Sequence, residues 1–73
     1  MTHPYTIIKN AIRRAKTPDA DARVVDVKEV LANHDDYDTD DLMAAYEQAR
    51  REGEIYSYPE DGTEVVKVTE DNL

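Results

Sequence analysis

The carboxylates between Asp36 and Glu47 come closest to a recognisable chemical spacing. Counted from Asp36, the acids Asp36, Asp38, Asp40 and Glu47 fall at positions 1, 3, 5 and 12 of the kind of loop that wraps Ca²⁺ in oxygen ligands. Position 6 is Asp41, where the sharp turn of such a loop requires glycine. The helix leaving the loop would begin near Ala45 and stop at Gly53, which is too short for the purpose. An acidic turn followed by a capped helix uses the same residues and keeps Leu42, Ala45 and Tyr46 on one buried stripe. A calcium-binding module is therefore the third of three readings, and no metal ligand is assigned.

Catalysis finds little material. Ser57 is the only serine, lies in a β-prone run and has no base beside it. His3 and His34 belong to no metal-ligand spacing; His3 reads as a mobile terminal residue and His34 as a helix-end residue. Gly53 and Gly62 each have a structural post, a helix stop and a turn, so neither is left for a phosphate loop. Cysteine is absent, which removes thiolate sites and disulfides together. No catalytic residue, cofactor or small-molecule substrate is expected.

Two sets of residues suit binding instead. Gln48, Arg50 and Arg51 share the outward side of a helix, where glutamine can read adenine and arginine can read guanine or phosphate. Lys67 and the row Lys9, Arg13 and Lys16 can add phosphate contacts. Asp40, Asp41 and Glu47 on the same helix would repel a DNA backbone. The second set is Tyr56, Tyr58 and Val65, a small amphipathic patch suited to a protein partner or to a second copy of the chain. The same three residues can equally serve as cross-strand pairs or as partial cover for the domain's own core.

The elements that must position these groups follow from periodicity and caps. Ile8, Ala11, Ile12 and Ala15 make the stripe of a first helix from about Pro4 to Lys16, with Tyr5 one turn earlier and Pro18 ending it. Arg23-Val24-Val25 is β-prone. Asp26 then starts a second helix, with Glu29 at capping-box spacing, Val25 and Val30 as a staple, and Val27, Val30 and Leu31 buried. Asp38 caps a third helix carrying Leu42, Ala45, Tyr46 and Ala49, which Gly53 terminates. A hairpin with loop Pro59–Gly62 places Ile55 opposite Val66. Ile55, Val66 and Val68 then face inward, and Tyr56, Tyr58, Val65 and Lys67 face outward.

Seventy-three residues make one domain, 1–73, with residues 1–3 and 70–73 expected to fray. No apolar run reaches the ~18 residues of a membrane span, and the chain reads as cytoplasmic. Seventeen Asp and Glu oppose nine Lys and Arg, a net −8, and Phe and Trp are absent. Such a surplus is tolerable where salt screens it, and the composition is similar to that of proteins from salt-loving archaea. The charge is also uneven: residues 1–18 carry four bases and no acid, whereas residues 19–73 carry five bases and seventeen acids.

Helix, short strand, helix, turn, helix and two-stranded wing is the order of the winged helix-turn-helix class, a mainly α body with a small antiparallel hairpin. Arg50-Arg51-Glu52-Gly53-Glu54-Ile55-Tyr56 also resembles the junction of last helix and wing in the C-terminal winged-helix domains of archaeal minichromosome maintenance helicases. The likeness covers about the last third of the chain and implies an accessory, contact-making domain; the ATPase module is absent. More broadly the chain resembles small stand-alone archaeal winged-helix proteins, many of them regarded as transcription regulators. That resemblance implies a DNA-associated regulator in a salt-rich cytoplasm, with Gln48, Arg50, Arg51 and Lys67 at the DNA. The alternative is a protein-interaction module using Tyr56, Tyr58 and Val65.

Overall fold

The computed structural model describes residues 3–72, so the fraying expected at residues 1, 2 and 73 lies outside the described residues. The order is α1 (Pro4–Ala15), β1 (Ala22–Arg23), α2 (Val24–Ala32), α3 (Thr39–Arg51), β2 (Ile55–Glu60), β3 (Thr63–Val68) and a 3-10 turn (Thr69–Asn72). The three helices pack on a three-stranded antiparallel sheet of order β1-β3-β2, an arrangement consistent with a winged helix.

Helix α1 is the central rod, touching α2, α3, β1 and β3. That position explains why Ile7 is buried beside Ile8, Ala11 and Ile12, a wider face than one stripe provides, while Ala15 is half-buried. His3 is fixed as the N-cap, its Nδ1 accepting the Tyr5 N–H at 3.0 Å.

Helix α2 starts at Val24, two residues before the expected Asp26, and neither the capping box nor the staple forms. The earlier start buries Val24 in line with Val27 and Leu31, and leaves Val25 65% exposed. Arg23, held extended by pairing with Val65, takes the N-cap position, and its Nε donates to Asp26 Oδ2 at 2.9 Å. Burial of one more valine outweighed the local capping signal.

Helix α3 has the expected stripe, with Leu42, Tyr46 and Ala49 buried and Ala45 half-buried. Asp38 occupies the N-cap position but makes no side-chain cap bond. The helix ends in a Schellman motif: Gly53 N–H reaches Arg50 C=O at 3.2 Å, and Glu54 N–H reaches Ala49 C=O at 2.9 Å. Gly53 has φ +79°, a conformation that disfavours any residue with a Cβ.

The hairpin is tighter than the sequence suggested. Its turn is Asp61-Gly62, with φ values of 50° and 81°, as a two-residue turn of type I′ requires. Pro59 is therefore in β2 opposite Glu64, and Ile55 faces Val68 rather than Val66. The displacement is two residues, so every side chain stays on its expected face. Hydrogen-bonded pairs alternate from Glu60↔Thr63 downward, and the Thr69 N–H to Glu54 C=O bond at 3.1 Å keeps the phase. Pro59, which has no N–H, thus turns its nitrogen to the open edge, where nothing is lost.

We expect Leu42→Ala to lower stability by about 2–5 kcal/mol, through lost burial and a residual cavity. Val25→Ala should change it by less than about 0.5 kcal/mol, because no staple exists to break. Urea midpoints of the two variants check both.

Candidate functional site

Three surfaces carry the residues singled out above, and the fold treats each differently. On α3, Gln48, Arg50 and Arg51 are all exposed. Gln48 Nε2 donates to Glu52 Oε2 at 3.2 Å, and Arg50 Nη2 to Glu47 Oε2 at 3.1 Å. Both are exposed contacts within one helix, of the strength that salt readily removes. Arg51 has no ion pair among the described residues. The first turn of the same helix exposes Asp40 and Asp41, and the hairpin tip exposes Glu60, Asp61 and Glu64.

On the outer face of the sheet, Tyr56 and Tyr58 stack with ring centroids 6.2 Å apart and planes inclined by 27°. Two residues along a strand return to the same face, so the stack is a direct product of strand geometry. Val65 lies between them and β1, paired with Tyr58 on one side and Arg23 on the other, and is only 5% exposed. Val65 is therefore a covered support for the patch, with no surface of its own to offer. Asp21 organises the far side: it accepts the Tyr58 hydroxyl hydrogen bond and pairs with Lys67 Nζ at 3.7 Å. The bond to Asp21 pushes the Tyr58 hydroxyl up to about 12. Lys67 is thus drawn toward β1 and away from the hairpin tip.

The row on α1 is brought together with acids from the other end of the chain. Lys9 Nζ lies 2.9 Å from Glu54 Oε2 and 3.6 Å from Glu70 Oε1. Arg13 holds Glu70 and Asp71, each at 2.8 Å, and residues 70 and 71, expected to fray, lie in the 3-10 turn. Lys16 is exposed, without an ion pair among the described residues. Nearby, Tyr5 donates to Glu52 at 2.5 Å, which raises the tyrosine to about 12 and lowers the glutamate. Sequence spacing gave no hint of these partners, which lie 45 to 58 residues apart.

Helix α3 begins at Thr39, so Asp40 and Glu47 are helical and Asp36 and Asp38 precede them. Among the described residues no three His, Asp or Glu side chains converge as a ligand set. No described helix is long and apolar enough to cross a membrane. No protein-family model, curated protein or solved structure matches the chain.

The Tyr58–Asp21 bond makes a pH prediction with a definite sign. The folded state holds the phenolic proton more tightly than the unfolded chain. Its contribution is therefore complete below pH 10 and is lost as pH rises through about 12. Asp21→Asn should return the Tyr58 titration toward 10, followed by the ring resonances of Tyr58 against Tyr56.

Proposed function

We propose that this chain is a non-enzymatic winged-helix interaction module that engages a protein partner through the outer sheet face around Tyr56 and Tyr58. The observation that carries the reading is the sign of charge on the elements a duplex would meet. The start of α3 offers Asp40 and Asp41, and the hairpin tip offers Glu60, Asp61 and Glu64, all exposed. Of the cations assigned to DNA, Arg50 and Lys67 are paired with Glu47 and Asp21, and Lys9 and Arg13 with Glu54, Glu70 and Asp71. The stacked tyrosines, by contrast, are half-buried and amphipathic, and Asp21 anchors the Tyr58 hydroxyl, which lowers the entropy lost when a partner orders that ring. Surface acidity of this degree suits a salt-rich cytoplasm, where screening within ~3 Å near 1 M relieves self-repulsion.

A DNA-associated regulator is the second reading, favoured by one observation. Arg51 carries no ion pair among the described residues, and the bonds of Gln48 and Arg50 are exposed contacts that a phosphate can replace at small cost. The likeness of residues 50–56 to the helix–wing junction of archaeal minichromosome maintenance helicases is compatible with either partner. In molar salt the counterion-release gain that normally drives DNA binding is weak, so such a complex would rest on shape and hydrogen bonds.

Titration of a random-sequence duplex in molar KCl, followed by amide shifts, separates the two. We expect no saturable movement at Gln48, Arg50 or Arg51; saturable movement there would establish the DNA reading instead. A partner captured from the source cells should be lost with Tyr56→Ser and kept with Arg51→Ala.

A further inference from the structure

Helix α1 and its C-cap present Lys9, Arg13 and Lys16, and the chain places its own carboxylates on the first two. Arg13 grips Asp71 with two near-parallel bonds, Nε to Oδ2 at 2.8 Å and Nη2 to Oδ1 at 2.9 Å. Its Nη2 also reaches Glu70 Oε1 at 2.8 Å. This fork on a carboxylate is the geometry by which arginine recognises acidic ligands. Arg13 first, with Lys16 and Lys9 behind it, holds the Asp71 carboxyl below its ordinary value.

Beside the turn lies a cavity of about 40 Å³, with Ile12, Val66 and Val68 as apolar lining and Arg13, Lys16, Lys67 and Asp71 as charged lining. A single water needs only about 10–15 Å³, so the space has room for more than one. Lys16 faces it without an ion pair among the described residues. The turn itself spans four residues, and the pairs that fasten it are half-exposed, hence individually weak and screened by salt. It is an acidic segment resting on a basic row above an apolar floor, with Lys16 unpaired among the described residues.

We infer that the Lys9–Arg13–Lys16 row and its apolar floor form a docking site for an acidic peptide segment of a partner protein, which the chain's own Thr69–Asn72 turn occupies as an internal competitor. The structure favours a peptide over nucleic acid because the present occupant is a pair of neighbouring carboxylates and the floor is aliphatic. Opening the turn frees Arg13 for the incoming carboxylate, and Lys16 supplies a further contact. The inference is independent of the Tyr56–Tyr58 reading, and its test involves neither ring.

The test titrates hexaglutamate into the wild type and into Glu70→Gln/Asp71→Asn at 0.15 M KCl, with amide shifts as the readout. Removing the competitor should tighten binding about tenfold, since the closed state no longer reduces the competent fraction. Shifts should centre on Lys9, Arg13, Lys16 and Val68, and adding Lys16→Gln should weaken the open variant. Equal affinity in both proteins, or shifts spread over Lys28 and Arg51, would overturn the inference. A duplex that binds the open variant at this row where hexaglutamate does not would overturn it in favour of nucleic acid. Should the double variant not fold, Glu70→Gln alone gives the same comparison, with an intermediate gain expected and no gain counting against.

Discussion

The three residues from Glu52 to Glu54 are where the chain stops being helical bundle and becomes sheet, and α1, α3 and the end of β3 are all tied to them. Gly53 at φ +79° reverses the backbone, and the two Schellman bonds lock that reversal to Ala49 and Arg50. Thr69 closes on the same spot, its N–H on Glu54 C=O and its hydroxyl on Gly53 C=O at 2.6 Å. Tyr5 and Lys9 of α1 reach the side chains of Glu52 and Glu54. The direction in which β2 leaves this junction puts Ile55 into the core, fully buried, and Tyr56 on the opposite face. A different exit angle would displace the sheet from α1 and disrupt both proposed surfaces together.

Electrostatics then sorts the surface. In a chain of net −8 a cation finds a carboxylate within reach almost wherever it is placed, and most of these cations do. Pairing strips them of the long-range field that would attract a polyanion, while the unpaired acids cluster at the start of α3 and the hairpin tip. The outer sheet face is different in kind. There Asp21 anchors the Tyr58 hydroxyl and pairs with Lys67, so these two groups can be covered without stranding a charge. That combination, more than the fold class, is what supports the proposal of a protein partner.

The structure also shows how local signals yield to burial. Asp26 and Glu29 have sound capping spacing, yet a start at Val24 places one more valine inside, and a half-exposed cap contributes less than that. Similarly, Pro59 suggested a loop because proline usually interrupts strands. The Asp61-Gly62 pair is a stronger instruction, and proline costs nothing when its nitrogen faces the open edge.

From the sequence alone one could read three helices of nearly correct extent, the buried stripe of Leu42, Tyr46 and Ala49, the Gly53 stop and the two faces of the hairpin. These follow from period and from local backbone preference, which act over a few residues and need no knowledge of the rest of the chain. The tertiary structure alone decided that β1 pairs with β3, that Val65 is covered, that Asp21 joins Tyr58 to Lys67, and that Arg13 holds Glu70 and Asp71. Each of those contacts joins segments dozens of residues apart. Charge and hydroxyl partners at such separations leave no periodic trace, because any of seventeen carboxylates satisfies a cation equally well until packing selects one.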